Sequence, residues 1–241
     1  MGADRQGVTG AIVVGAGSGQ RFGNVEKAFH PVAGRPLLCW SVEVFERTPA
    51  VDRVCLVLAS GSVERGRALV RECGWRKVRD VVPGGRERQD SVRAGLEALG
   101  DCAWVLVHDA ARPLVTEAMI EAGLHGARRH GAAVAAVPVR DTLKRVDGAS
   151  ALIQGTVDRD GLWAAQTPQA FGAGILRRAF AVAGERAAAF TDDAAVVAAA
   201  GYPVAVFPGA LVNVKLTLPE DVALVEALLR ARHLGAVGAN E

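Results

Sequence analysis

The sequence predicts an α/β fold, built on a mostly parallel sheet with helices on both faces and one inserted β-hairpin arm. Two observations predict the sheet: short apolar runs alternate with longer amphipathic stretches, and a glycine-rich turn directly follows the first run. A third predicts the arm, because this alternation stops after Pro138 and two extended, polar-alternating segments follow.

Five short apolar runs, bounded by glycine, proline or charge, are typical of buried strands: 11–14, 54–58, 78–82, 104–107 and 133–137. Between them, amphipathic stretches predict helices at 37–47, 62–72, 88–99 and 116–130. Strand and helix alternating at this spacing predict βαβ units. The sheet is therefore expected to be parallel, with ligands bound at the carboxyl ends of its strands.

The arm is predicted from segments 139–146 and 152–157, which are joined by the turn sequence Asp147-Gly-Ala-Ser150. Helices are then predicted at 173–183 and 192–200, a strand at 204–207, and a final helix from 219 to about 233. The chain carries neither internal repeats nor a low-complexity linker. We therefore expect one domain over residues 1–241, with a protruding arm at about 139–160 that mediates dimerisation.

The composition is that of a folded protein: of 241 residues, 50% are hydrophobic and 22% charged, with a formal net charge of +2. Disordered chains have fewer apolar residues and more net charge. No apolar stretch approaches the roughly 20 residues needed to cross a bilayer, and the polar N-terminus carries no signal core. The four cysteines form no CxxC pair, which favours reduced thiols. We expect a cytoplasmic protein that binds neither membranes nor nucleic acid.

The first predicted strand runs into Gly15-Ala-Gly-Ser-Gly-Gln-Arg-Phe-Gly23, a turn that lets the backbone direct several N–H groups at a phosphate. It is not the dinucleotide pattern GxGxxG, which would need glycine where Gln20 stands, and no Walker A Gly-Lys-Ser/Thr follows. Instead the loop carries Arg21 and, six residues later, Lys27. Two cations on such a loop suit a triphosphate whose leaving group must be neutralised.

A second cluster, His108-Asp-Ala-Ala-Arg-Pro113, follows the predicted strand 104–107. Asp109 would lie at the carboxyl edge of the sheet, where a single carboxylate facing a phosphate loop is a natural Mg²⁺ ligand. Arg112 has the fork geometry that binds a phosphate. His108 is expected to be packed rather than to act as a base.

A third segment, 84–91, lies between a predicted strand and a predicted helix. Its paired glycines, Gly84 and Gly85, and its Ser91 suit contacts with a base or ribose, although a plain helix entry explains them equally well. Downstream, short polar islands carry Thr142, Arg159, Thr167, Thr191 and Lys215. Among the aromatic residues nearby, Trp163 and Phe171 are expected in the core.

In this order, the motifs resemble the 2-C-methyl-D-erythritol 4-phosphate cytidylyltransferases of the non-mevalonate isoprenoid pathway. The resemblance extends from about residue 10 to 230 and rests on the glycine loop with Arg21 and Lys27, Asp109-Ala-Ala-Arg-Pro, Asp141-Thr-Leu-Lys-Arg, Thr156-Val-Asp-Arg, Thr167-Pro-Gln and Asn213-Val-Lys. It implies a single-domain, Rossmann-like nucleotidyltransferase fold. It also implies a Mg²⁺-dependent transfer of CMP from CTP to a sugar-alcohol phosphate, with release of pyrophosphate. Family members are homodimers whose arms interlock, so arm residues would reach the partner's site.

The resemblance further implies a role for each matched residue. CTP would be bound by Gly15, Ala16, Gly17, Ser18, Gly19, Gly84, Gly85 and Ser91. Arg21 and Lys27 would stabilise charge on the α-phosphate in the transition state, and Asp109 would hold Mg²⁺. The acceptor would be positioned by Arg112, Thr142, Arg159, Thr167, Thr191 and Lys215, with Arg159 and Lys215 the most critical.

Lysine is rare in this chain: only Lys27, Lys77, Lys144 and Lys215 among its 28 basic residues are lysines. Because an ammonium is compact and a guanidinium is a planar fork, Lys27 and Lys215 are expected to need the ammonium. Glu26 stands where the family usually has proline, and a carboxylate beside a triphosphate is unfavourable unless it points away or pairs with a cation. We therefore expect Glu26→Pro to raise kcat/KM for CTP.

Three other functions are compatible with parts of the sequence. A cytidylyltransferase for another polyol phosphate, of the ribitol 5-phosphate type, would share the glycine loop and a DxxRP element. A nicotinamide-dependent oxidoreductase would share the strand and turn, but not the GxGxxG spacing. A weakly active or non-catalytic homologue would share the fold, and Glu26 is the residue that favours it.

Overall fold

The computed structural model describes residues 7–17, 22 and 26–237, with side chains as far as residue 232. Its strands are β1 (Thr9–Gly15), β2 (Pro31–Val32), β3 (Arg35–Pro36), β4 (Arg53–Leu58), β5 (Val78–Pro83), β6 (Trp104–Asp109), β7 (Ala132–Pro138), β8 (Leu143–Val146), β9 (Ile153–Val157), β10 (Trp163–Gly172) and β11 (Ala205–Pro208). Its α-helices are α1 (Leu37–Arg47), α2 (Val63–Cys73), α3 (Arg88–Ala98), α4 (Glu117–His130), α5 (Ala173–Ala183), α6 (Asp193–Ala199) and α7 (Asp221–Val237).

Seven strands form the main sheet, in the order β11-β7-β10-β6-β1-β4-β5. The parallel pairs are β1 with β4 and β6, β4 with β5, and β11 with β7. Strand β10 runs antiparallel to both of its neighbours, β6 and β7. The fold is the mostly parallel α/β sheet that the sequence predicts, and the predicted strands and helices are confirmed with ends that differ by at most a few residues.

Helices cover both faces of the sheet because successive residues of a strand point to opposite sides. Ala11 and Val13 of β1 join a hydrophobic core with buried side chains of α1 and α4, and α2 packs beside it. Ile12, between them, joins the opposite core with α3, α5 and α6. The strands are thus buried on both faces, as a parallel sheet requires.

Strand β10 is an element that the sequence did not predict. Its middle carries Gln166, Thr167, Pro168 and Gln169, and proline and polar residues are unusual in a central strand. The register with β7 shifts between Ala165 and Gln169, so this stretch departs from regular pairing. Its polar side chains bond to other side chains of the protein, Thr167 to His108 and Gln169 to Asp192. The sequence analysis selected this segment only as a polar island and predicted no strand there.

The predicted arm is confirmed as a hairpin of β8 and β9, which pair with each other. Its turn is closed by Asp147, whose Oδ1 accepts hydrogen bonds from the N–H groups of Ala149 (3.1 Å) and Ser150 (2.8 Å). At its base, the N–H of Val139 donates to the carbonyl of Leu162 at 3.0 Å. The arm is therefore held to the sheet by a closed backbone junction.

The arm presents apolar side chains to solvent. Leu152 is 69% exposed and Ile153 is 65% exposed, and Leu143 and Val146 are also exposed. Trp163, where the arm returns to the sheet, is 47% exposed, so its predicted place in the core was wrong. Its ring projects from the first residue of β10, whereas Phe171, near the other end of the strand, is buried as expected.

Helix α7 packs on the side of the sheet where the chain leaves β1. Its Val225 and Leu229 are buried with Val32, Leu37 and Leu216. Over the described part of the chain, no helix combines the length and the apolar character that crossing a membrane requires. The four cysteines are free thiols.

Candidate active site

A cavity of about 580 Å³ opens at the carboxyl ends of β1 and β6, beside the segment that follows β5. The register explains why these ends meet: Val14 of β1 lies beside Asp109 of β6, and Gly15 lies beside Leu58 of β4. The residues that line it include Gly15, Ala16, Gly17, Lys27, Gly85, Arg88, Ser91, Asp109, Lys215 and Thr217. This is the edge at which parallel α/β sheets bind their ligands.

The segment between β5 and α3 packs tightly against the loop that follows β1. A Cβ atom on Gly84 would lie 2.3 Å from Ala16 Cβ and 2.6 Å from Ser91 Oγ, so a side chain does not fit there. The Ser91 hydroxyl accepts a hydrogen bond from the Gly85 N–H at 3.2 Å. Glycine is thus needed for the close approach, and the serine fixes the backbone that borders the cavity.

Lys27 begins a short 3₁₀ helix, Lys27–Phe29, whose other two residues are buried. That burial fixes the position from which Lys27 lines the cavity. Glu26, directly before it, pairs with Arg65 of α2 at 3.7 Å, and the Arg65 guanidinium lies 4.2 Å from the centre of the Phe29 ring. The Glu26 carboxylate therefore has a cation of its own.

Asp109, the last residue of β6, accepts hydrogen bonds from two cations. Lys215 Nζ lies 2.6 Å from its Oδ2, and Arg88 Nε lies 3.1 Å from its Oδ1. Burial would raise the pKa of this carboxyl group, but Arg88 and Lys215 outweigh burial and hold the pKa of Asp109 well below its usual range. Asp109 is therefore ionised at every physiological pH.

Lys215 reaches the cavity from the loop between β11 and α7, and two contacts fix that loop. Asn213 Nδ2 donates to the carbonyl of Thr167 in β10 at 2.9 Å. The N–H of Leu216 donates to the carbonyl of Ala111, just after β6, at 2.9 Å. These contacts hold the lysine beside a carboxylate that is 106 positions away in sequence.

Arg88, the first residue of α3, binds a second carboxylate on its other side. Its Nη1 donates to Asp193 Oδ2 at 2.7 Å, and the Asp193 side chain is fully buried. Burial raises the pKa of Asp193, and the charge of Arg88 partly offsets that rise. Arg88 and Lys215 together face Asp109 and Asp193, so the charges of this cluster balance.

His108 is packed inside the sheet and takes part in a chain of hydrogen bonds. Its Nε2 lies 3.1 Å from the Arg112 carbonyl, so this nitrogen donates and Nδ1 accepts from Thr167 Oγ1 at 3.0 Å. Thr167 Oγ1 in turn accepts the N–H of Asp109 at 3.1 Å. Burial lowers the pKa of His108 to about 4, so the ring is neutral at physiological pH. As predicted, this histidine is packed inside the sheet.

The Arg112 side chain bonds to the loop that carries Lys215. Its Nη1 donates to the carbonyl of Asn213 at 2.7 Å, and its Nε is buried without a hydrogen-bond partner. Burial lowers the pKa of Arg112 from the usual arginine value. Arg112 is not among the residues that line the cavity.

Comparison with known proteins identifies the family. A model of the 2-C-methyl-D-erythritol 4-phosphate cytidylyltransferase family (IspD) matches residues 9–231. The chain belongs to this family. The predicted family is thus confirmed, and the oxidoreductase and ribitol phosphate alternatives gain no support.

Relatives of the IspD family resemble this chain over nearly its whole length. The 2-C-methyl-D-erythritol 4-phosphate cytidylyltransferase of Dehalococcoides mccartyi (strain CBDB1) is 42% identical over 221 residues, covering 92% of this chain and 96% of the relative. The bifunctional enzyme IspD/IspF of Desulforudis audaxviator (strain MP104C) is 49% identical over 221 residues, covering 91% of this chain but 56% of that protein.

A solved structure of the IspD family confirms the predicted fold class. The crystal structure of 2-C-methyl-D-erythritol 4-phosphate cytidylyltransferase from Thermus thermophilus superposes with a TM-score of 0.76 at 36% identity. The match covers 91% of this chain and 98% of that one. The Rossmann-like nucleotidyltransferase fold is therefore shared along the length of both chains.

The structure brings many of the residues matched to IspD enzymes into the cavity and leaves others outside it. Those that line it are Gly15, Ala16, Gly17, Lys27, Gly85, Ser91, Asp109 and Lys215. Gly84 and Thr167 lie just behind them. Thr142 and Arg159 lie on the exposed arm, and Thr191 is exposed before α6. Ser18, Gly19 and Arg21 lie outside the described residues.

Arg88 and Asp193 are residues of the site that the sequence analysis did not select. A signal was present, because a cation in the first turn of a helix is disfavoured by the helix dipole unless a carboxylate compensates it. The acidic pair Asp192-Asp193 supplies that carboxylate, but it follows 105 residues after Arg88. Only the folded chain shows which acid faces which base.

Two carboxylates line this cavity, Asp109 and Glu87. The described residues contain no group of three or more His, Cys, Asp or Glu side chains that could hold a metal. Asp109 still fits Mg²⁺, which takes few protein ligands and shares phosphate oxygens. Each Asp109 oxygen accepts one hydrogen bond and retains a second lone-pair direction. Because the charges around Asp109 already balance, the site suits a cation that binds together with a polyanion.

Proposed function

We propose that this chain transfers CMP from CTP to 2-C-methyl-D-erythritol 4-phosphate, giving 4-diphosphocytidyl-2-C-methyl-D-erythritol and pyrophosphate. The observation that carries the proposal is the cavity in which Asp109 and Lys215 face the backbone of Gly15–Gly17 and the side chain of Lys27. A glycine loop and two ammonium groups around one ionised carboxylate suit a triphosphate and a second phosphate together.

The reaction needs positioning and charge neutralisation more than proton transfer. An oxygen of the acceptor phosphate attacks the α-phosphorus of CTP, a new P–O bond forms, and the bond to the β-phosphate oxygen breaks. The acceptor phosphate is already an anion, so no base is required, in keeping with the neutral, buried His108. The barrier lies in bringing two polyanions together, which fixed cations overcome.

The residues of this chain divide that task by location. The backbone at Gly15–Gly17 and Gly85, with Ser91 behind it, would bind CTP. Lys27 would face the triphosphate, and Arg21 is proposed beside it on the family resemblance alone. Lys215 would position the phosphate of the acceptor on the Asp109 side of the cavity.

Mg²⁺ is the cofactor that this arrangement implies, with Asp109 as its protein ligand. When bound, the ion would neutralise part of the triphosphate charge and orient its oxygens. Asp109 is kept ionised by Arg88 and Lys215, so no proton competes for the carboxylate.

We propose a homodimer formed through the arm. The support is the exposed apolar set on β8, β9 and the strand return: Leu143, Val146, Leu152, Ile153 and Trp163. An exposed apolar patch of this kind marks an interaction surface. Thr142 and Arg159 lie on the same arm outside the cavity of their own chain, and they would complete the acceptor site of the partner. We propose the cytoplasm as the location, with no nucleic acid or membrane partner.

The test is pyrophosphate release from CTP with Mg²⁺ and each of two acceptors. We expect release with 2-C-methyl-D-erythritol 4-phosphate and little with ribitol 5-phosphate. The preference reversed would assign the chain to the other polyol phosphate. No release with either acceptor, from protein that circular dichroism shows to be folded, would contradict the enzyme proposal.

A further inference from the structure

The Arg88–Asp193 pair connects the proposed site to the start of α6, and Asp193 has none of the roles given above. Asp193 is the first residue of α6, a helix on the face of the sheet opposite α1, and its side chain has no exposed surface. Arg88 is 22% exposed and lines the cavity. The guanidinium therefore spans the distance between a fully buried carboxylate and one that faces the substrates.

The two contacts of Arg88 use different nitrogens. Nε donates to Asp109 Oδ1 at 3.1 Å, and Nη1 donates to Asp193 Oδ2 at 2.7 Å. A guanidinium is planar and its donors are fixed relative to one another, so holding Nη1 also sets the direction of Nε. A lysine ammonium has no such geometry. The orientation of Asp109 thus depends on where Asp193 holds Arg88.

The position of Asp193 is itself fixed by buried polar contacts. Gln169 of β10 accepts the N–H of Ala194 through Oε1 at 3.0 Å and donates to Asp192 Oδ2 through Nε2 at 2.8 Å. Asp192 Oδ1 accepts the N–H of Ala195 at 2.9 Å. The start of α6 is therefore attached to the sheet, which makes Asp193 a rigid anchor.

We infer that Asp193 and Arg88 are positioning residues that hold the Asp109 carboxylate in its working orientation, with Asp193 acting only through Arg88. The inference rests on the proposed function, because it concerns the carboxylate assigned there to the metal and the phosphates. Asp193 does not touch the cavity, so it is not a catalytic residue. It resembles the outer partners of metal ligands, whose loss typically costs about 10- to 100-fold in affinity or activity.

The experiment compares Asp193→Asn, Arg88→Gln and the double variant in the full-length protein. Titration with CTP and Mg²⁺ in a calorimeter counts functional binding sites, and kcat for pyrophosphate release is expressed per site. We expect Asp193→Asn to lower kcat per site about 10- to 100-fold and Arg88→Gln to lower it at least as much. The double variant should be no less active than Arg88→Gln, because Asp193 has nothing left to act through.

Thermal stability separates positioning from a structural role. Arg88→Gln leaves Asp193 as an unpaired buried charge, so its melting temperature should fall, and adding Asp193→Asn should restore part of it. A positioning role predicts that activity stays low while stability recovers. Arg88→Lys should also stay impaired, because an ammonium cannot bridge the two carboxylates in the same geometry.

A matched control perturbs the same junction without touching Asp109. Gln89, beside Arg88 and buried, donates to the carbonyl of Phe190, so Gln89→Ala should lower stability and leave kcat per site near that of the wild type. The inference is overturned if Asp193→Asn matches the wild type, if the losses add in the double variant, if activity recovers with its stability, or if Gln89→Ala is equally impaired. A wild type that releases no pyrophosphate overturns the proposed function itself, and the inference falls with it.

Discussion

The cavity and the arm fix their polar side chains in different ways. In the cavity, Asp109 is held by Lys215, Arg88 and the hydroxyl of Thr167, all from the same chain and all partly or fully buried. On the arm, Arg159 is exposed and donates to the carbonyl of Arg140. The cavity is thus organised by contacts within the chain, whereas the arm offers groups that no other described element covers.

This difference has an energetic consequence. Charges in the cavity act in a medium of low dielectric constant, where each contact is strong and a lost partner is costly. Charges on the arm are screened by water and contribute little until another surface covers them. Changes in the cavity should therefore act within one chain, and changes in the arm should act between chains.

The largest effect is expected from Lys215. Lys215→Ala removes the ammonium 2.6 Å from Asp109 and should lower kcat about 100-fold or more, on the scale of a lost transition-state donor. Lys215→Arg and Lys27→Arg should also lose activity, because a planar fork replaces a compact charge. Steady-state kinetics give the values. The control is Lys77→Arg, because Lys77 bonds to the Thr48 carbonyl outside the cavity. Full activity in both Lys215→Arg and Lys27→Arg would show that the positions of the few lysines are a coincidence.

The arm is tested by mixing two variants. Arg159→Ala should lose about 100-fold in kcat, close to the loss in Lys215→Ala. The two variants mixed are Arg159→Ala, which changes the arm, and Lys215→Ala, which changes the cavity. If each arm reaches the partner's site, a dimer with one chain of each variant has one site in which both the cavity and the arm are intact. Equal mixing after reversible dissociation should therefore recover about a quarter of the wild-type activity. If mixed dimers form but activity does not recover, the arm acts on its own chain.

A smaller effect concerns acid stability. The folded-state pKa of His108, about 4, lies below its ordinary value of 6.5, so the unfolded chain binds more protons between these values. The stabilisation that the neutral His108 ring provides is complete above pH 6.5 and is lost as the pH falls. At roughly pH 5 the free energy of unfolding is lower by about 2 kcal/mol. Urea unfolding of the wild type and His108→Gln should show that difference. The raised pKa of Asp193 changes stability with pH in the opposite direction, and it does so equally in both proteins. If the free energies of unfolding of the two proteins change with pH in parallel, the lowered pKa of His108 is contradicted.

The smallest effect is expected at Glu26, on the edge of the cavity region. Its pairing with Arg65 already reduces the repulsion that the sequence predicts, so Glu26→Pro should raise kcat/KM for CTP only a few-fold, as partly exposed pairs are worth about 1 kcal/mol or less. Arg65→Ala should lower the same constant by leaving the carboxylate unpaired. Unchanged constants in both would show that Glu26 does not act on the triphosphate.

Periodicity was sufficient to predict most of the fold, and the exceptions have physical causes. The strands buried on both faces are continuous apolar runs, and helices such as α1 and α5 are strongly amphipathic, so local sequence determines them. Strand β10 escapes prediction because Thr167 and Gln169 satisfy buried partners and Pro168 interrupts the ladder. Its strand character comes from its neighbours in the sheet, not from its own residues.

The residues of the candidate site also fall into those that local sequence could predict and those that it could not. Residues next to a strand end, such as Gly15 and Asp109, could be predicted because parallel strands deliver their carboxyl ends to one edge. The link from Arg88 to Asp193 could not, because it joins residues 105 positions apart that no periodicity connects. The assignment of Lys215 depended on its motif, and the loop contacts that hold it became visible only in the folded chain.

The closed junction at the base of the arm makes residues 139–162 an interchangeable module. The chain leaves β7 and enters β10 at adjacent positions, Pro138 opposite Trp163, and the Val139–Leu162 hydrogen bond completes that junction. Shortening, lengthening or replacing the module would leave every ladder of the main sheet paired. Exchange of this segment alone would therefore alter the proposed dimer, while the cavity and its buried charges stay as they are.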